Sequence, residues 1–224
     1  MPVKSKKRPG RPKDKALIAR RCEEILDAAA QIFAAQGYRN TDVQLVADRL
    51  NIGKGTVYRY FPSKRNLFLA AVDRGMRRLR TQIETCTANI ADPLERIVRA
   101  ISAYLTFFDT HPEFVELIIQ ERAEFKDRAK PTYFEHRDAN VGPWQELFRE
   151  LMRAGRVREM PVERITDVLG NLLYGTMFTN YFAGRQKPFE VQAQDILDIV
   201  FYGILSEQER KGCPPAVDEG TPCD

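Results

Sequence analysis

No apolar run in these 224 residues approaches the roughly 20 consecutive side chains that a membrane-spanning helix requires, and no apolar signal segment follows the basic N-terminus. The expectation is a cytoplasmic chain without a membrane partner. Cysteine is scarce: Cys22, Cys86, Cys213 and Cys223 stand far apart with no C-x-x-C pair, and His111 and His136 are the two histidines that could join them. Neither a zinc cluster nor a disulfide framework is expected, and no cofactor is implied. Also missing are a nucleophile elbow, metal-ligand spacing and any His set near a Ser or Cys in a catalytic pattern, which argues against an enzyme. No segment alternates apolar and polar residues with period two between turn signals, so strands are not required.

Apolar residues are plentiful, at 43%, and can build a buried core. The net charge of +4 conceals an asymmetry. Residues 1–65 hold 15 Lys and Arg against 6 Asp and Glu, leaving 20 against 25 for the remainder. A basic front and an acidic back imply that the front binds a polyanion and the back does something else.

The first 16 residues, MPVKSKKRPGRPKDKA, hold seven basic residues and three prolines without apolar periodicity, which predicts a disordered arm. From there the pattern is helical throughout. Ile25, Ala29, Ile32 and Phe33 follow helical spacing, and Gly37 stands where that helix should end. Thr41 or Asp42 can cap a second helix, with Val43, Val46, Ala47 and Leu50 on one face. A third runs from about Gly53 to Tyr60. Ser63 can cap a long fourth helix carrying Phe68, Val72, Met76, Leu79 and Ile83 on one side, the look of a connector between two bodies. Asp92-Pro93 reads as a cap and a first-turn proline, and His111-Pro112 as a break. Further helices follow, with a helix or helix pair over residues 131–155. The whole is all-α with about nine helices. A tail from residue 210, rich in Pro, Gly and acid, is expected to be disordered.

The stretch NIGKGTVYRYF, residues 51–61, admits two readings. A phosphate-binding loop needs G-x-x-x-x-G-K-[ST], but Asp48 stands five before Gly53, Lys54 is followed by Gly55, and no strand precedes it. That reading fails. The other takes VQLVADRL-NIG-KGTVYRYF as two short helices about a three-residue turn, which is helix-turn-helix spacing. Val57 and Phe61 then face inward, while Lys54, Thr56, Arg59 and Tyr60 point outward with Tyr58 on the flank. Gly55 lets the backbone approach bases or phosphates, Asn51 tolerates a left-handed turn, and Lys64 adds a donor beside a helix N-terminus. The residues point to double-stranded DNA.

With these residues in place, the segment from about Ile25 to Leu69 resembles the DNA-binding domain of the tetracycline-repressor (TetR) family of bacterial regulators. The likeness lies in Gly37-Tyr38, Thr41 and then VADRLNIGKGTVYRYFPSKRNL, at Ala47, Gly55, Thr56, Val57, Tyr58, Tyr60, Phe61, Lys64 and Leu67. Leu50, Asn51 and Gly53 depart from the usual Ala, Gly and capping Ser. The resemblance implies a homodimeric regulator, foremost a repressor, whose larger helical domain binds an inducer or corepressor; a dimer would set two reading heads on the halves of a palindromic operator, from which a small effector would release it. The resemblance also implies groove or phosphate contacts at Gln44, Lys54, Gly55, Thr56, Tyr58, Arg59, Tyr60 and Lys64, with core packing the alternative for the two tyrosines. Residues 17–68 would form the DNA-binding domain and 69–209 a ligand-binding and dimerisation domain. The arm KKRPGRPK resembles an AT-hook in part, with Pro9 where an Arg is usual; the alternative is a basic tail that adds phosphate affinity.

In the second body, Leu169, Leu172 and Thr176 share a stripe interrupted by Gly170 and Gly175, and Ile196, Val200 and Ile204 lie on the last helix. Two such helices per subunit fit a two-fold, four-helix interface; packing inside one subunit is the other reading. For an effector cavity the candidates are the aromatics Tyr104, Phe107, Phe108, Phe114, Trp144, Phe148 and Phe178, which suit an apolar or planar compound or, equally, a plain core.

Overall fold

The computed structural model of the chain describes residues 15–184 and 187–203, so the basic arm up to residue 14, Ile204 and the acidic tail lie outside the described residues. Ten helices and no strand account for them: α1 Lys15–Gln36, α2 Val43–Arg49, α3 Lys54–Tyr60, α4 Lys64–Thr87, α5 Pro93–Thr110, α6 Pro112–Glu124, α7 Thr132–Asn140, α8 Gly142–Arg153, α9 Val162–Ala183 and α10 Phe189–Tyr202. The stretch expected to be one helix or two is a pair, α7 and α8, which raises the expected nine to ten.

Local chemistry explains the boundaries. Gly37, at φ +80°, closes α1 in a conformation that other residues avoid. Asp42 caps α2 by accepting from the Gln44 backbone N–H at 2.8 Å. Thr41, the competing cap, is instead buried and donates its hydroxyl to the Gly37 carbonyl at 2.8 Å. Ser63 caps α4 through the Asn66 N–H, and Asp92 caps α5 through the Glu95 N–H at 3.0 Å, with Pro93 in the first turn.

Helices α1 to α3 and the first turns of α4 enclose a small core of Ile25, Ala29, Phe33, Val43, Val46, Ala47, Val57, Leu67 and Phe68, all at most 2% exposed. Each large member contributes about 1.5–3 kcal/mol by leaving water. The rest of α4 lies along α5, and α9 and α10 also pack against α5. The expected domain boundary at residues 68–69 therefore falls inside α4, which belongs to both bodies.

The two bodies are further joined through α6. Phe125, just past its end, sits edge-on to Tyr38 at 4.8 Å and tilted against Phe68 at 5.4 Å, with the Arg65 guanidinium 4.9 Å over its ring. Gln120 donates its side-chain amide to the Phe33 carbonyl at 2.9 Å, and Arg39–Glu124 and Arg65–Asp127 ion pairs flank the joint at 2.8 and 2.6 Å. Where α4 crosses α6, a Cβ built on Gly75 would lie 2.3 Å from the Phe114 ring. The helices approach this closely only because residue 75 has no side chain.

Candidate nucleic-acid interface and ligand cavity

The turn between α2 and α3 is held by the Ile52 N–H donating to the Ala47 carbonyl at 3.0 Å, and Asn51 takes the left-handed conformation, φ +53°. Of the non-glycine residues that reach positive φ, Asn is among those that do so at least cost. Gly53 begins α3 in extended geometry without a side-chain cap. Val57 is fully buried and Phe61 partly so, which fixes the rotation of α3. Gly55, Tyr58 and Arg59 are exposed, and Lys54, Thr56 and Tyr60 are partly covered.

The basic groups of this face are not all free. Lys54 Nζ donates to Asp42 Oδ1 at 2.6 Å, and Gln44 Nε2 donates to Asp48 Oδ1 at 2.6 Å. Asp42 is held below its ordinary 3.8, first by the Gln44 backbone N–H and next by Lys54. Lys64 Nζ donates to the Arg39 carbonyl at 2.9 Å and lies 4.8 Å over the Tyr38 ring. The Arg59 guanidinium lies 5.5 Å over Tyr60. Tyr60 also packs against the core and stays partly exposed, which is the packing role weighed for it.

In the second body a cavity of about 720 Å³ opens between α4, α5, α7, α8 and α9. Tyr104, Trp144 and Phe148 line it, as do Met76, Leu79 and Ile83 of α4. The other aromatic candidates fall elsewhere. Phe107 stacks on Phe114 at 5.7 Å and meets Phe108 edge-on at 5.2 Å, so these three fill core between α5 and α6. Phe178 belongs to a ladder along α9, between Tyr174 at 4.8 Å and Phe182 at 5.9 Å. The candidate effector set thus narrows to Tyr104, Trp144 and Phe148.

Sequence reading missed Arg96, Tyr133, His136 and Arg137, which also line the cavity. Tyr104 and Tyr133 share a hydroxyl–hydroxyl hydrogen bond of 2.8 Å. Burial pushes the Tyr104 phenol well up and Tyr133 to about 12, so both stay neutral. His136 Nε2 lies 2.7 Å from Asp73 Oδ1 and ties α7 to α4. The nearest sequence signal was the run of polar residues from 121 to 138, which hid a helix facing a cavity.

The interface candidates divide. Leu169 and Ile196 turn inward, at 8% and 9% exposed, and Leu169 forms part of the cavity wall. Leu172 is exposed, while Thr176 and Val200 are partly covered. Among the described residues, the large apolar groups that α9 and α10 leave uncovered are Val168, Leu172, Phe182, Val191, Ile199 and Tyr202. Among the described residues no helix is long and apolar enough to cross a membrane, and no cluster of metal-ligating side chains occurs.

A helix-turn-helix head on an all-helical body defines a DNA-binding transcription regulator. The profile of bacterial regulatory proteins of the tetR family matches residues 25–71. The chain is 34% identical over 155 residues to the HTH-type transcriptional regulator YhgD of Bacillus subtilis, an alignment spanning 69% of this chain and 81% of that one. It is 36% identical over 77 residues to the HTH-type transcriptional repressor KstR of Mycobacterium tuberculosis, covering 34% of this chain and 35% of KstR. The transcriptional regulator FadR of Bacillus subtilis, solved in complex with stearoyl-CoA, shares the fold with a TM-score of 0.68 at 18% identity, over 82% of this chain and 99% of FadR. The chain belongs to the tetR family of bacterial transcription regulators, and is not an enzyme.

Proposed function

We propose that the chain is a ligand-responsive repressor that binds a palindromic operator as a homodimer and is released when an apolar or aromatic effector enters the cavity. The observation that carries this reading is the double membership of α4. Its first turn packs in the head through Leu67 and Phe68, and its later turns supply Met76, Leu79 and Ile83 to the cavity wall. A ligand that fits one tilt of α4 better than another biases the head by its difference in affinity for the two states. The volume lies in the range of small-molecule sites, and the stearoyl-CoA complex of FadR is an instance of this fold holding a ligand with a long apolar acyl chain.

In this reading α3 enters the major groove, with Lys54, Thr56, Tyr58 and Arg59 outward and Gly55 against the DNA, while Gln44, Tyr60 and Lys64 serve at the margins. The uncovered apolar face of α9 and α10 takes the same face of a second copy, a self-complementary arrangement. That sets two recognition helices about 35 Å apart, one turn of DNA. The head and the body are residues 17–68 and 69–209, and a cytoplasmic location accompanies the function.

Selection of bound duplexes from a random pool tests the reading. A palindromic site should emerge, Lys54→Ala and Tyr58→Phe should weaken binding to it while the chain stays folded, and a screen of apolar and aromatic compounds should yield one that frees the DNA. Retention of wild-type affinity by both variants would refute the assigned DNA face.

A further inference from the structure

The charges on the cavity wall are unevenly matched. Arg80 is held by Glu84 at 2.7 Å, and Arg137 by Asp138 at 3.5 Å and the Asn171 side-chain oxygen at 3.2 Å, with the Phe134 ring 5.0 Å below it. Arg96 differs from both. It lines the cavity, and among the described residues no carboxylate pairs with it; its Nε is covered by protein atoms without a hydrogen-bond partner, so the terminal amino groups are the edge left to meet a ligand. A guanidinium does not shed its proton, so one on a cavity wall with no carboxylate beside it can take an anionic partner.

Its surroundings give the shape of the missing partner. Arg96 lies in the first turns of α5, and the same helix continues along the cavity with Ile97, Ile101 and Tyr104. From residue 96 to residue 104 is about 12 Å along a helix axis. A charged anchor thus stands at one end of an apolar wall, with the neutral Tyr104–Tyr133 hydroxyl pair at the other. The cavity also has acidic residues. Glu146 is paired with Arg149 and Arg153, whereas Glu150 and Asp167 are exposed to water at the rim. The acidic rim opposes every anion, the more strongly the more charges it carries, so a ligand held at Arg96 is favoured with a single negative charge.

We propose that the cavity takes an amphipathic monoanion, a carboxylic acid whose head group is held by Arg96 and whose apolar body lies along α5 towards Tyr104. A carboxylate presents two oxygens to the guanidinium edge in the bidentate geometry that this pair favours. The assignment rests on the effector reading of the cavity and makes it specific: single negative charge, elongated apolar body.

The test is calorimetric titration of the full chain with decanoate, 1-decanol and decylamine, which share one body and differ in charge. Decanoate should bind at least tenfold more tightly than the alcohol, and decylamine most weakly. In Arg96→Gln the acid should fall to the affinity of the alcohol while the alcohol is unchanged. Because Arg96 has no protein partner to lose, the unliganded variant should melt no lower than the wild type. Arg96→Lys keeps a positive charge and should retain part of the preference for the acid, which supplies a second readout if the glutamine variant misfolds. Binding of decylamine above decanoate, an Arg96→Gln variant that binds decanoate like the wild type, or no binding of any of the three overturns the proposal. Release of operator DNA separates the two readings. Release by decanol or decylamine, but not decanoate, sinks the carboxylate and keeps the effector; binding of decanoate through Arg96 with the DNA left in place does the reverse.

Discussion

Glu121 on α6 closes the first turn of α7: its Oε1 accepts the Thr132 backbone N–H at 3.0 Å and the Thr132 hydroxyl at 2.8 Å, while Arg128 Nε stands 3.3 Å away. No side chain of its own caps α7, which starts after Pro131, so the carboxylate of a neighbouring helix satisfies donors that would otherwise be orphaned. Glu121 is 1% exposed. Glu121→Ala should therefore cost about 1–3 kcal/mol in urea unfolding, the range for leaving buried donors unmatched. Thr132→Val, which keeps the backbone donor, should cost less.

The contact between Gly75 and Phe114 makes a sharper prediction. Gly75→Ala adds a methyl where the Phe114 ring already lies, and overpacking of this kind costs about 1–3 kcal/mol. The double variant Gly75→Ala, Phe114→Leu should recover part of that loss. A double-mutant cycle with a coupling energy near zero would contradict the contact.

At Gly55 stability and binding should move in opposite directions. The position is helical and exposed, and a methyl added there would meet no other atom within 4 Å, so Gly55→Ala should stabilise the chain by about 0.5–1 kcal/mol. If the backbone there lies against DNA, the same methyl should weaken operator binding. A variant that melts higher and binds as well as the wild type would remove Gly55 from the interface.

Acid should loosen the head at the α1–α2 corner. The carboxyl of Asp42 is depressed below 3.8 in the folded chain, so the folded state holds fewer protons and its contribution is fully present above that value. It is lost as pH falls through the lower folded value. The melting temperature should be insensitive to this group from pH 8 to about 5 and decline below about 4. Asp42→Asn keeps a capping oxygen but frees Lys54, and should tighten non-specific DNA binding with a steeper salt dependence.

What was legible in the sequence was local. Asp92-Pro93, Ser63 and Gly37 announce helix ends through chemistry within three or four residues, and each does so in the structure. Asn51 likewise declares its left-handed turn. The cavity was legible only in part, because which aromatic meets empty space depends on how helices rotate against partners distant in sequence. Phe107 and Tyr104 lie three apart on α5, yet one fills core and the other lines the cavity. Nothing in the sequence sets Arg96 apart from the other arginine of α5, or Gly75 from any other helical glycine. Their meaning comes from α7 to α9 and from Phe114, none of which is a neighbour in sequence. The inward turn of Leu169 beside the more exposed Leu172 has the same origin: the two stand about 60° apart on one stripe of α9, and the edge of the cavity wall falls between them.

The 24 residues of α4 form a lever about 36 Å long at 1.5 Å per residue. A tilt of about five degrees at its cavity end sweeps Lys64 through about 3 Å, the full length of a hydrogen bond. In the proposed switch, small rearrangements deep in the body would be magnified at the tip, and a mechanical gain of this size would need no loosening of the head's own core.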